Sequence, residues 1–198
     1  PHVGHVTVTD LTPQMLDQAQ AHLSGKGVAN ADYWLADAED LPFPDGGFDL
    51  VTCRIAPHHF AEVERFVAEV ARVLRPGGLF LLIDSVVPED AELDAFVNTL
   101  EARRDPSHVR SHTLAEWREF VAGAGLRLTH EEVGRKAVTF APWAARTQMP
   151  AEAAAALEAD MLAAPAEAQA HFAITRDADG RLQSWTMEYA LFRAEREE

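Results

Sequence analysis

The chain has 198 residues, 47% of them hydrophobic, and its 17 Lys and Arg against 32 Asp and Glu give a formal charge of -15. That length suits one domain with a sizeable core, and the charge works against partners held by phosphate neutralisation, nucleic acids above all. The single cysteine, Cys53, forms no internal disulfide, no run approaches the roughly 18 apolar residues of a membrane span, and the first residues lack the basic start and apolar core of a signal peptide, so a cytoplasmic protein is expected.

His5 to Asp10 is short, β-branched and ends in an acid, which reads as a strand; Pro13 then opens a helical pattern through Met15, Leu16, Ala19 and Leu23. Gly25 and Gly27 close that helix, Ala31 to Ala36 reads as a second strand, and Leu41-Pro42-Phe43-Pro44-Asp45-Gly46-Gly47 is a loop by its turn chemistry. Phe48 to Ile55 is near-continuously apolar, as a strand covered on both faces should be. Phe60 to Leu74 places Phe60, Val63, Phe66, Val67, Val70, Val73 and Leu74 along one helical face. Arg75-Pro76-Gly77-Gly78 is expected to stop that helix, and Leu79 to Val87 to form another buried strand. Alternating strands and helices of this kind signal an open parallel sheet.

Beyond Val87 the pattern predicts helices at Ala91 to Arg104, at Leu114 to Ala124 with Thr113 as N-cap, and at the alanine-rich Ala151 to Ala163. Leu126 to Val133 reads as a strand, and Phe172 to Phe192 as two strands around Asp177-Ala178-Asp179-Gly180, an antiparallel hairpin that would make the sheet mixed.

Two predicted strands end in acids. Asp10 closes the first, and Asp37 follows the second in Leu35-Ala36-Asp37-Ala38-Glu39-Asp40-Leu41-Pro42-Phe43. Carboxylates at adjacent strand ends of a doubly wound sheet lie at its carboxyl edge, where they can accept ribose hydroxyls and a base amino group; an acid near a helix start also interacts with the helix dipole whether or not it binds anything.

The ordered set Val-Thr-Val-Thr-Asp10, Met15-Leu16, Asp37 to Phe43, Phe48-Asp49-Leu50-Val51 and Leu74-Arg75-Pro76-Gly77-Gly78 resembles the class I S-adenosylmethionine-dependent methyltransferases, especially the branch related to ubiquinone and menaquinone biosynthesis enzymes. The resemblance implies a Rossmann-like α/β fold, a mostly parallel sheet with a C-terminal antiparallel hairpin, and S-adenosylmethionine as cofactor. It implies that Asp10 binds the ribose, Leu11 packs on the adenine, Asp37 accepts the adenine amino group, the Ala38 N–H donates to the ring, and Arg54 lies beside the methionine moiety. Residues 1–198 would form a single methyltransferase-like domain, with 1–90 as the cofactor-binding half and 91–198 as substrate-side helices and C-terminal strands. Members of the family also carry a strand and a glycine-rich turn well before the acid matching Asp10, where this chain has nine residues. The expectation is therefore a fold without its first strand and an incomplete cofactor site, in a truncated or degenerate enzyme, with strand-exchange dimerisation as one way to satisfy the unpaired edges.

On the acceptor side, Pro57-His58-His59-Phe60 follows the strand bordering the cofactor, and either imidazole could deprotonate a hydroxyl or a carbon acid. His59 is taken as the catalytic candidate and His58 as a substrate contact. The block Arg103-Arg104-Asp105-Pro106-Ser107-His108-Val109-Arg110-Ser111-His112 concentrates basic residues in an acidic chain, so Arg103 and Arg110 are candidates for a polar or anionic substrate group. Trp143, with Phe140, could line an apolar acceptor pocket or simply pack. No metal site is expected. The reading is methyl transfer to a small-molecule acceptor; a non-catalytic protein on the same scaffold and a nicotinamide-dependent oxidoreductase are the alternatives, the latter weakened by the absence of an evident Tyr/Lys pair.

Overall fold

A computed structural model of the chain describes residues 3–197. Strand β1 (Val6–Asp10), helix α1 (Pro13–Gly25) and strand β2 (Ala31–Leu35) come first. The two strands pair in parallel with Val6 opposite Ala31 and Asp10 opposite Leu35. Proline at the first turn of α1 costs no hydrogen bond, because that N–H would have no helical partner. None of the residues of β1, α1 or β2 is fully buried.

β1 and β2 form a sheet of their own. The larger sheet begins with β3 (Phe48–Arg54), parallel to β4 (Leu74–Val86), and continues in the order β3-β4-β7-β5, where β7 is Leu182–Arg196 and β5 is Leu126–Thr139. β7 runs antiparallel to both its neighbours, and the two-residue β6 (Thr175–Arg176) pairs with it across the Asp177 turn. The sheet is thus mixed, as the hairpin pattern predicts, but the long antiparallel partner of β7 is β5 and the hairpin itself is small. β4 starts earlier than expected. Arg75-Pro76-Gly77-Gly78 ends helix α2 (Val63–Val73) without leaving the strand: Gly77 takes φ 71°, and a Cβ on Gly78 would meet the Arg75 carbonyl at 2.7 Å. The register accordingly shifts between Phe48 and Leu50. Only one face of β4 is fully buried, through Phe80, Leu82, Asp84 and Val86.

Two apolar clusters flank β7. In the first, Val63, Phe66, Val67 and Val70 of α2 and Trp117 and Val121 of α4 (Leu114–Gly123) close over Phe80, Leu82, Ala190 and Phe192. A full capping box sets the start of α4: the Thr113 hydroxyl accepts from the Glu116 N–H, and Glu116 accepts from the Thr113 N–H. The second cluster joins α3 (Ala91–Arg104), α5 (Phe140–Ala145), α6 (Ala151–Leu162) and α7 (Ala166–His171) around Leu182 and Trp185 at the other end of β7. Glu158 of α6, itself buried, accepts from Arg181 and from the Leu182 N–H, which fixes the hairpin against that helix. No helix among the described residues is long and apolar enough to cross a membrane.

Arg72 ties the Leu41–Gly47 loop to α2. Its guanidinium donates to the carbonyls of Leu41 and Phe43 and to Glu69 and Asp45, while the Leu41 N–H donates to Glu69. Phe192, with no exposed surface, sits where β7 meets both α4 and β4. Phe192→Ala is expected to cost about 3–5 kcal/mol, read as a lowered urea midpoint with an unchanged slope.

Candidate active site

The pairing register settles where the two acids stand. Asp10 ends β1 directly opposite Leu35, and Asp37 follows two residues later, so both carboxylates leave the same carboxyl edge of adjacent parallel strands. Each is half engaged by its own loop. Asp10 accepts the Thr12 N–H and hydroxyl on Oδ1, at 2.8 and 2.7 Å, and Asp37 accepts the Glu39 N–H on Oδ1 at 2.9 Å. The Oδ2 atoms have no partner among the described residues. Leu11 is 67% exposed beside Asp10, and Ala38 packs against the first core. Arg54, at the end of β3, is exposed. Between the two sheets lies a cleft of about 610 Å³, lined by Val6, Thr7 and Thr9 on the β1 side and by Leu50, Val51 and Thr52 on the β3 side.

A second group of polar residues gathers at the carboxyl ends of β3 and β4. Ile55 leaves β3 with φ 53°, a conformation that branched side chains avoid, while its N–H donates to the Ile83 carbonyl at 2.8 Å. This sharp exit drops the chain into a 3₁₀ turn, Pro57–His59. There the His58 N–H donates to Asp84 Oδ2 at 2.9 Å, and His58 Nδ1 lies 2.7 Å from Asp84 Oδ1. A carboxylate only accepts, so Nδ1 carries the proton, and in the neutral ring Nε2 keeps its lone pair. Asp84 is 1% exposed and His58 8%.

The Asp105–His112 loop is fastened onto this turn. Val109 and Arg110 both donate their N–H to the His58 carbonyl. His59 Nδ1 reaches the Ser107 carbonyl at 2.9 Å, and its ring lies 4.2 Å from that of His58, with His108 at 5.7 Å on His58 as well. His108 Nε2 donates to Asn98 Oδ1, which also accepts the Ser111 N–H. The basic residues of the block point elsewhere. Arg103 pairs with Asp160 at 2.7 Å, and Arg110 is shared between Asp94 and Glu116. Trp143 is buried in the second core under the Arg104 guanidinium.

Electrostatics narrows the chemistry. Burial, helped by the Asp84 charge, pushes the Cys53 thiol up to about 12, so no thiolate nucleophile forms there. Burial also raises the Glu101 carboxyl against the pull of Arg104. Two residues of this cluster were not singled out in the sequence, Asp84 and Asn98. Asp84 had a signal: an acid inside the apolar run Leu79 to Val87 must find a partner when buried. Asn98 had none, lying on an ordinary helical face.

Burial, reinforced by the nearby His58, His59 and Arg104, lowers His108 to about 4. The native imidazole therefore stays neutral down to that pH, whereas in the unfolded chain it takes up a proton near 6.5. Acid favours the unfolded chain between those values, so stability should fall as pH drops from 6.5 towards 4. His108→Gln, compared with the parent in urea titrations at pH 7 and 5, should flatten that fall, and an unchanged slope would remove His108 as its source.

Residues 1–82 match the family model described as "Methyltransferase domain". The uncharacterized methyltransferase YcgJ of Bacillus subtilis is 38% identical over 191 residues, covering 96% of this chain and 76% of that protein. Its crystal structure superposes with a TM-score of 0.95 at 37% identity, over 100% of this chain and 85% of that one. The uncharacterized protein YafE of Escherichia coli is 31% identical over 89% of this chain and 85% of its own length. With this likeness over nearly the whole length, and with two acids at the carboxyl edge of paired parallel strands, the chain belongs to the class I S-adenosylmethionine-dependent methyltransferases.

Proposed function

We propose that this protein transfers a methyl group from S-adenosylmethionine to a small organic acceptor. The observation that carries the reading is the shared edge of Asp10 and Asp37, each with one carboxylate oxygen spent on its own loop and the other open. That pair of acceptors fits the hydroxyls of a ribose and the amino group of an aminopurine. Asp10 would hold the ribose hydroxyls and Leu11 would cover the adenine. Asp37 would accept the adenine amino group while the Ala38 N–H donates to the ring, and Arg54 would lie beside the methionine moiety. When bound, the cofactor supplies an electrophilic methyl group on a sulfonium sulfur, displaced in line.

Residues 1–90 would then serve the cofactor and 91–198 the acceptor. The edges of β1 and β3 that face the cleft have no strand partner among the described residues, and a parallel strand laid there would pair with both. The family's glycine-rich strand suits that place, and it would bring backbone N–H groups to the methionine end of the cofactor. The acceptor side gathers around His58, His59 and the loop they pin. Arg103 and Arg110 are already committed to carboxylates and Trp143 is buried in the second core, so their part would be to brace that side of the molecule rather than to bind an acceptor group. An acidic surface, with a formal charge of -15, favours a neutral small molecule over a polyanion.

Calorimetric titration with S-adenosylhomocysteine tests the reading, on the chain itself and on the chain extended at its start by a glycine-rich strand. Binding is expected in at least one form. Asp10→Ala should weaken it roughly 10- to 100-fold, as loss of charge-assisted hydrogen bonds worth about 1.5–3 kcal/mol requires. No binding in either form would defeat the proposal, and displacement by NADH would turn it towards a nicotinamide enzyme.

A further inference from the structure

Strand β5 ends the larger sheet: it pairs with β7 on one side, and its other edge has no strand partner among the described residues. A row of unpaired backbone N–H and C=O groups is a template for another strand. A bulge between Leu128 and His130 interrupts the start of β5, and from His130 to Thr139 the register with β7 is regular. Apolar surface gathers at the middle of that stretch. Val133 is 47% exposed, and Tyr189, which stands opposite Gly134 on β7, is 39% exposed. A Cβ on Gly134 would collide with the Tyr189 ring, so the tyrosine lies over β5 where only glycine leaves room for it.

We propose that this edge pairs with the same edge of a second copy of the chain, antiparallel about a two-fold axis at Gly134, so that the sheet runs on from one protomer into its partner. Charge sets the register. Directly opposed residues of antiparallel strands project from the same face, so a strand paired with its own copy matches residues an even number of positions apart. Two acids and two bases flank the axis: Glu131, Glu132, Arg135 and Lys136. Glu131 is held by Arg118, and Arg135 by Glu188 and the His171 carbonyl. The other two are uncommitted. Glu132 approaches only His130, at 3.7 Å, and Lys136 has no ion-pair partner among the described residues. Setting Gly134 opposite the partner's Gly134 places each Glu132 opposite the partner's Lys136, two complementary pairs on one face.

The neighbouring registers lack this match. An axis at Val133 sets Glu132 opposite the partner's Gly134 and Lys136 opposite the partner's His130. An axis at Arg135 sets Glu132 opposite the partner's Val138 and Lys136 opposite the partner's Gly134. The Gly134 axis also brings the two Tyr189 rings together, since each covers its own glycine and opposed Cα atoms stand about 5 Å apart. The formal charge of -15 repels a second copy, but the paired segment is locally neutral, with its two acids and two bases. A lysine on an edge strand deters foreign strands; here the same lysine meets a glutamate of its own copy, which favours self-pairing over other partners. The cleft edges of β1 and β3 take no part, so the proposal stands apart from the cofactor reading.

Sedimentation velocity at low salt, on the chain at concentrations up to about 100 μM, is expected to show a dimer. Glu132→Lys and Lys136→Glu should each weaken the association roughly tenfold, because each turns both facing pairs into like charges. Circular dichroism checks that both variants are folded. The deciding measurement mixes the two variants in equal amounts: the mixed dimer sets lysine against glutamate at both pairs, so association should return to the parent's level. A variant that merely disturbs its own fold cannot be rescued in this way. A parent chain that stays monomeric at every concentration would overturn the proposal. So would a dimer indifferent to both charge reversals, which would place the contact on another surface, or a mixture that associates no better than its components.

Discussion

A carboxylate with 1% of its surface exposed must be matched where it stands, because an unpaired charge in the interior is far costlier than the pairing that removes it. Asp84 occupies such a position on the buried face of β4, in line with Phe80 and Leu82. Its two oxygens demand two donors, and the turn leaving β3 delivers both. Ile55 accepts a left-handed conformation, Pro57 opens a 3₁₀ turn, and His58 arrives with backbone and ring donors aimed at the two oxygens. The loop from Asp105 to His112 is then laid on the His58 carbonyl and held from the far side by Asn98. One buried charge thus organises three separate stretches of chain.

The apolar cores provide the rigid frame for that arrangement. β7 threads both, with Phe192 and Ala190 under α2 and α4, and Trp185 among α3, α5, α6 and α7. Because Asp84 and Ser85 pair with Ala190 and Tyr189 of β7, the polar cluster sits where the two cores meet. The cofactor edge has the opposite character. β1, α1 and β2 have no fully buried residue, and Leu11 in the turn after β1, Met15 of α1, and Trp34 and Leu35 of β2 are exposed. Local openings are easiest where few apolar contacts must be broken, so the part of the molecule proposed to hold the nucleoside is the part least constrained by its own packing. A bound nucleoside would cover some of that apolar surface and couple ligand binding to the stability of this half.

The alternation of strands and helices was legible because each element has a period and most ends have a chemical marker: Pro13 at the start of α1, Thr113 at the start of α4, Gly180 in the hairpin turn. The acids at the strand ends were legible for the same reason. What escaped was short or tertiary. α5 and α7 have six residues each, too few for a helical period to declare itself. Arg75-Pro76-Gly77-Gly78 carries every mark of a stop, yet the backbone passes through it as a bulge, a choice made by the parallel pairing with β3 and invisible locally. His58 and His59 are adjacent and identical in type; only the 3₁₀ turn decides which meets Asp84 and which meets Ser107.

The same distinction bears on how charge is used. The surface is strongly acidic, and the resemblance in sequence drew attention to the basic block from Arg103 to His112. In the fold those arginines are neutralised by Asp160, Asp94 and Glu116, and the histidines between them turn inward. His108 is held neutral by burial, and the ring of His58 is governed by a single fixed carboxylate. The block therefore acts less as a positive patch than as a braced loop, with His108 packed against the His58 ring and His112 against Trp117 and Phe120. In so confined a setting the local field is set by a few fixed dipoles and one buried carboxylate rather than by the net charge of the molecule, since interactions inside a water-poor interior outweigh screened charges on the surface.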